Sequence, residues 1–176
     1  DRYQISRPEG SSLGAERFSE FFRAFELLKQ KRRVIDWEDA LLLCVGMLRD
    51  QPRMLAQVQQ QYRFFTVDEY QDISPLQQAL LETWLGERQE LCVVGDPRQT
   101  IYTFAGARSD FLTGFQDRYE KAQVFELNRN YRSSQEVVAL ANRVSPATPL
   151  EAIRQVSEKP VFRTYKNAGD EAAGVV

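Results

Sequence analysis

Two apolar runs in this sequence end in carboxylates. Phe64-Phe65-Thr66-Val67 runs into Asp68-Glu69, and Leu91-Cys92-Val93-Val94-Gly95 runs into Asp96. A short apolar run rich in β-branched and aromatic residues that stops at acids is the pattern of a buried parallel strand, which delivers those acids to the carboxyl edge of an α/β sheet. Both strand ends would lie on one edge, and their carboxylates would converge on one crevice. Such a group suits phosphoryl transfer: one acid holds magnesium, directly or through water, and another orients the attacking water. Alone, Asp68-Glu69 fits an acidic strand-to-helix turn as well.

Further residues bear on the same chemistry. Gln99 offers an amide suited to a terminal phosphate or its attacking water. Tyr102 and Phe104 flank Thr103 just before Gly106, and two aromatics in a loop form either a stacking platform for bases or part of the core. In Asn130-Tyr131-Arg132-Ser133-Ser134, Arg132 has a planar fork that clamps phosphate or makes a structural salt bridge, and Tyr131 can stack on a ring.

Composition narrows the classes. The chain has 176 residues, 43% apolar and 27% charged, enough for one good core or one core and part of a second. Net charge is -2, so no bulk basic field announces nucleic acid, although an aromatic-lined channel remains compatible with it. There is no histidine, which excludes imidazole acid/base catalysis and Ser-His-Asp triads. Cys44 and Cys92 sit in apolar contexts and are expected as buried free thiols, in keeping with a reducing cytoplasm; a zinc site of the usual kind is not credible. No run approaches the length of a membrane span.

The elements that must position these residues follow from periodicity. Residues 1–15 carry Pro8, Gly10 and Gly14 and are expected to be extended. Phe18, Phe21, Phe22, Phe25 and Leu28 then fall at helical spacing over about 16–33, ending in a basic run, Lys29 to Arg33, expected to be solvated. Asp36, with Asp39 three residues on, predicts an N-cap for a helix apolar nearly all round, which belongs in a core. Pro52 opens another helix; Ser74-Pro75 starts one that Gly86 stops. A helix over 110–119, a third strand Val124–Leu127, a helix over 134–144, a helix or loop over 150–158, a strand Val161–Tyr165 and a last helix from Gly169 complete the pattern, with Pro146 and Pro149 marking a boundary. Strands alternating with helices predict an α/β fold with a parallel sheet.

The strings Val67-Asp68-Glu69-Tyr70-Gln71-Asp72, then Val93 through Phe104, then Asn130-Tyr131-Arg132-Ser133-Ser134 resemble, in order and spacing, motifs II, III and IV of the UvrD/Rep/PcrA family of superfamily 1 DNA helicases. Ile35 through Leu42 is similar to the family's Asp-Phe-Asp-Asp-Leu-Leu helix ahead of motif II. The resemblance covers residues 16–145 well. It implies a partial RecA-like sheet of the P-loop NTPase kind: residues 1–15 leading in from a helical insertion, 16–127 as the later part of the first RecA-like domain, and 128–176 as a hinge and the start of the second.

The resemblance also implies roles. Asp68 would hold the magnesium of Mg-ATP and Glu69 would be the general base. Gln99 would sense the γ-phosphate, Arg132 would reach it from across a cleft, and Tyr131 would stack on adenine. Tyr102 and Phe104 would face single-stranded DNA. The activity implied is ATP hydrolysis coupled to 3′→5′ movement on single-stranded DNA and at single-strand/duplex junctions, in a cytoplasmic, nucleoid-associated protein of repair or replication restart. The helicase part of a helicase-nuclease, or a non-catalytic docking module, are the alternatives. Two departures stand out. Ala105 occupies a position where the family usually has arginine, and no Gly-x-x-x-x-Gly-Lys-Ser/Thr sequence occurs. The chain is therefore expected to be a central fragment, inactive alone.

Overall fold

The computed structural model describes residues 14–145, 148–157 and 159–175. The expected extended segment 1–15 and the boundary proline Pro146 fall almost wholly outside them. The chain divides into two compact units, Asp1–Gln123 and Val124–Val176.

The first unit opens with α1 (Ala15–Arg32), which ends where Arg33 turns left-handed at φ 53°. α2 (Trp37–Asp50) starts at a reciprocal capping box in which the Asp36 carboxylate accepts from the Asp39 amide and the Asp39 carboxylate from the Asp36 amide. α3 (Pro52–Gln61) leads to β1 (Phe65–Val67). α4 (Pro75–Leu85) has the predicted Ser74 cap, which forms a second capping box with Gln77, and it stops at Gly86 with φ 64°. β2 (Leu91–Val93) pairs parallel with β1, with Val67 opposite Val93. The helix expected over 110–119 is two short ones, α5 (Asp110–Thr113) and α6 (Phe115–Arg118), divided at Gly114.

Packing centres on α4, whose adjacent Leu80 and Leu81 face two different clusters. Leu80 joins Val45 and Leu48 of α2, with Leu55, Val58 and Trp84 against them. Leu81 joins Tyr70 and Ile73, backed by Phe65, Val67, Leu91, Val93 and the α5–α6 aromatics. Only one face of the β1–β2 pair is covered in this way, because the residues between, Thr66 and Cys92, are exposed. The strands are thus half-covered rather than buried on both faces. Cys92 lies on the bare face and Cys44 on the outer side of α2, so both thiols are exposed, contrary to expectation. α2 likewise buries only Val45 and Leu48, while Leu42, Leu43 and Met47 face outward. Of the α1 stripe, Phe21, Phe25 and Leu28 are exposed.

The second unit holds β3 (Arg129–Asn130), α7 (Gln135–Val144), β4 (Glu151–Ala152) and α8 (Ala168–Val175). β3 and β4 pair parallel, so part of 150–158 is a strand. Ser134 caps α7, its hydroxyl accepting from the Val137 amide. The expected strand Val124–Leu127 is not formed: Phe125 and Leu127 are exposed and no described strand pairs with them. Val161–Tyr165 is equally irregular. A strand needs a neighbour to take its hydrogen bonds, and an apolar run cannot supply one by itself. The observed architecture is therefore α/β with two small parallel pairs, one in each unit, and is coarser than a RecA-like sheet.

Lys29 corrects the reading of the basic run. It is buried, and its Nζ donates to Asp36 Oδ2 (2.8 Å) and Asp39 Oδ2 (2.7 Å), lies 2.7 Å from Glu26 Oε1 and sits 4.9 Å from the Phe25 ring centre. Three carboxylate oxygens within 4.8 Å of one another thus surround one ammonium, tying the end of α1 to the start of α2. Burial alone would lower the Lys29 pKa, but the hydrogen bonds from the three acids outweigh it and hold the group above the ordinary lysine range. Lys29 pulls Asp36 below its ordinary value in return. In Lys29→Met the acids lose their counter-ion. Thermal melts should place this variant below the wild type at neutral pH, with the gap narrowing below about pH 4 as the carboxylates protonate. A gap that does not change with pH would remove the clasp as its cause.

Tyr70 is buried, its hydroxyl donating to Gln78 Oε1 at 2.7 Å and its ring meeting Phe115 edge-on at 5.9 Å. Burial pushes its pKa up to about 12. The folded value lies above the unfolded value of about 10, so the stabilisation is complete below pH 10 and disappears as pH rises towards 12. Urea denaturation should show a loss of about 2 kcal/mol across that window. In Tyr70→Phe this part of the pH dependence should be absent, at a cost of about 1–2 kcal/mol at neutral pH from the unpartnered Gln78 oxygen.

Candidate functional site

β1 ends at Val67, and the chain turns sharply to bring Asp68 and Glu69 to the carboxyl edge of the parallel pair. The turn has a conformational cost. Glu69 has φ 51° and ψ 39°, and it shares a positive φ only with Arg33 among the described non-glycine residues. A left-handed non-glycine residue costs about 1 kcal/mol or more and persists only when its surroundings impose it. Here they do. The Val94 amide donates to Val67 O (2.8 Å), the Tyr70 amide to Val94 O (2.9 Å) and the Asp72 amide to Glu69 O (2.9 Å). The Asp68 carboxylate accepts from the Glu69 amide at 2.9 Å.

The side chain that links the two strand ends is Gln71, almost fully buried at 1% exposure. Its Nε2 donates to Glu69 Oε2 at 2.7 Å, and its Oε1 accepts from the Asp96 amide at 3.1 Å. Gly95 makes this approach possible: a Cβ there would stand 2.5 Å from Gln71 Oε1 and 3.2 Å from the Gln71 amide nitrogen. Neither Gln71 nor Gly95 was among the sequence-predicted site residues. The available signal was an amide two residues beyond Glu69 and a glycine just ahead of Asp96.

Asp96 caps the short 3₁₀ turn Pro97–Gln99. Its Oδ1 accepts from the Arg98 amide (3.0 Å) and Arg98 Nε (2.9 Å), and its Oδ2 from Arg98 Nη2 (2.9 Å) and Gln99 Nε2 (3.1 Å). The Arg98 guanidinium, with help from Gln99, holds its pKa down at about 2. Asp96 is thus a charged scaffold for its own loop, engaged on both oxygens, whereas Asp68 retains Oδ2 beyond its bond to the Glu69 amide.

From Asp96 the chain continues to the aromatics. Asp72 Oδ1 accepts from the amides of Ile101 (3.2 Å) and Tyr102 (3.4 Å). The Thr103–Ala105 turn closes at Gly106, whose φ of 87° suits glycine. Tyr102 and Phe104 have ring centres 6.1 Å apart at 47°, and Phe104 is 76% exposed. Core packing, the alternative for these rings, is not observed in this unit. A groove of about 650 Å³ is lined by Asp68, Glu69 and Asp72 together with Trp37, Trp84 and Tyr102. Trp37, at 85% exposure, is a further aromatic that the sequence reading did not single out.

Asp68, Glu69, Gln99, Tyr102 and Phe104 therefore share the first unit, while Tyr131 and Arg132 belong to the second. There, Asn130 Oδ1 accepts from the Arg132 (3.0 Å) and Ser133 (2.8 Å) amides, and Arg154 Nη1 donates to Arg132 O at 2.9 Å. This shapes the turn that precedes α7 and leaves Tyr131 and Arg132 exposed.

Residues 3–120 match the family model of the UvrD/REP helicase N-terminal domain. The chain is 38% identical over 175 residues to ATP-dependent DNA helicase UvrD2 of Mycobacterium tuberculosis, covering 93% of this chain and 25% of that protein. It is 32% identical over 161 residues to the putative ATP-dependent DNA helicase YjcD of Bacillus subtilis, covering 88% of this chain and 21% of YjcD. With ATP-dependent DNA helicase PcrA of Leuconostoc citreum it shares 32% over 129 residues, covering 73% of this chain and 17% of that protein. The chain spans about a quarter or less of the length of these curated relatives. On the extent of these matches, the chain belongs to the UvrD/REP helicase family.

Proposed function

We propose that the protein containing this chain is an ATP-dependent DNA helicase or translocase, and that Asp68 and Glu69 form the magnesium- and water-facing edge of its ATP site. The observation that carries this reading is Glu69 itself, an acid at the carboxyl end of a parallel pair, in a left-handed turn, with one carboxylate oxygen fixed by a buried amide. Function is where such backbone strain is usually found. In this reading residues 16–127 form the later part of a RecA-like domain and 128–176 lead into a second one.

The residues fit magnesium: a carboxylate with an oxygen to spare suits a hard cation that keeps most of its waters and takes other ligands from phosphate. That ion would neutralise charge on the phosphates. Glu69 accepts the proton of the attacking water, and Gln71 keeps its carboxylate in one orientation. Gln99 moves from Asp96 to the γ-phosphate, Arg132 adds positive charge there, and Tyr131 stacks on adenine. Tyr102 and Phe104 stack on bases of single-stranded DNA, with movement 3′→5′, action at junctions and a role in repair or replication restart in the cytoplasm. No described helix is long and apolar enough to cross a membrane.

Turnover of ATP by the full-length protein, with and without single-stranded DNA, tests this directly. Glu69→Gln should lower kcat by roughly two to four orders of magnitude, the usual contribution of a positioned general base, while nucleotide binding is kept. A variant that retains its turnover removes Glu69 from that role. The 176-residue chain alone should show no DNA-stimulated hydrolysis, because it contains no Gly-x-x-x-x-Gly-Lys-Ser/Thr sequence to cradle the β- and γ-phosphates. Measurable stimulated turnover by the chain would overturn that part of the reading.

A further inference from the structure

The turn Tyr70–Asp72 touches both ends of the loop that runs from Asp96 to the aromatics. Gln71 holds the Asp96 amide at one end, and Asp72 holds the Ile101 and Tyr102 amides at the other. A third bond, from the Arg108 amide to Ile73 O at 3.0 Å, fixes the chain where it leaves the loop. The same turn carries Glu69 through the Gln71 amide and is itself anchored in the core by Tyr70. Two side chains adjacent in sequence thus face opposite duties, Gln71 towards the acids and Asp72 towards Tyr102.

We infer that the Gln71-Asp72 pair is the mechanical link between the acid edge and the aromatic loop, with Asp72 the positioning residue on the aromatic side. Any displacement of the turn at Glu69 moves Gln71 and Asp72 together, because they are neighbours in one 3₁₀ turn. Asp72 passes that displacement to the backbone of Ile101 and Tyr102 and so to the ring planes. What Asp72 supplies is an acceptor at a fixed reach. Its charge is not the operative feature, since both bonds end on the same Oδ1 and both donors are backbone amides. This inference rests on the ATPase reading above and adds to it the route by which occupancy of one site is felt at the other.

Three variants of the full-length protein separate reach from charge. Asp72→Asn keeps an acceptor oxygen at the same reach, Asp72→Glu keeps the charge but displaces it by one methylene, and Asp72→Ala removes both. DNA-free ATP turnover should stay close to wild type in all three. Stimulation by single-stranded DNA should fall roughly tenfold in the Ala and Glu variants, the scale of a modest coupling between sites, and be largely kept in the Asn variant. Amide hydrogen exchange at Ile101 and Tyr102 should speed up in the Ala and Glu variants and not in Asn. A Glu variant that stays coupled while Asn does not would assign Asp72 an electrostatic role and overturn the inference, as would full stimulation in all three or an equal loss of basal and stimulated turnover. If the wild-type protein shows no DNA-stimulated turnover, it is the ATPase reading that fails; the exchange measurement still decides whether Asp72 holds the loop.

Discussion

The buried amide of Gln71 is the interaction on which the site depends. Its position calls for a group that donates on one side and accepts on the other, because Glu69 offers only acceptor oxygens and the Asp96 amide only a donor. A carboxamide does both at the end of one side chain. Glutamate there would set a second negative charge against Glu69, and an apolar residue would leave the Asp96 amide without its partner. With the amide in place the two strand ends become one unit, and the left-handed turn at Glu69 is stabilised from its side-chain end as well as by the backbone bonds to Val94 and Val67. Gly95 belongs to the same arrangement, since only a residue without Cβ lets the second strand end come this close.

Distribution of charge follows a similar logic. The acids of the first unit fall into separate groups with different degrees of neutralisation. Glu26, Asp36 and Asp39 share Lys29, and Asp96 is matched by Arg98. Asp68 and Glu69 accept only from neutral amides among the bonds described. The groove beside β1 therefore holds two adjacent carboxylates at a strand end with no cationic partner among the described residues. A divalent ion with phosphates, or the proton of a water, is what such a set of acids attracts.

How much of this was legible in the sequence depended on how local the determining contact is. Helix starts were legible because a cap is decided within four residues: Asp36 with Asp39 and Ser74 with Gln77 cap as predicted. Strand ends were legible because an apolar run stops at its acids. Contacts that close over longer spans were not. Lys29 looked like one member of a solvated run, since its partners Asp36 and Asp39 reach it only after the chain reverses at Arg33. Cys92 looked buried because alternation does not tell which face of a strand is covered, and here the covering helix and aromatics lie on the face of Val93. The Val124–Leu127 strand failed for a related reason, as its formation requires a hydrogen-bonding neighbour and its own composition cannot provide one.

The exposed rings show why tethering at both ends matters. Tyr102 lines the apolar-walled groove, into which a free loop could also fold Phe104, and burying a phenyl side chain is worth about 2–3 kcal/mol. Phe104 remains out because the loop backbone is committed elsewhere. The Ala105 and Ala107 amides both donate to Tyr102 O, the Gly106 amide donates to Thr103 O, and Ala107 is buried just past the turn. With Asp72 holding the Ile101 and Tyr102 amides on the other side, the segment between has little freedom to collapse. Rings presented in this way lose little further conformational entropy on stacking, which favours a flat, sequence-indifferent partner such as a nucleic-acid base. The usual family arginine is absent at Ala105. Under the proposed function, affinity at this loop leans on stacking geometry more than on phosphate charge, and the turn that sets that geometry is the one that holds Glu69.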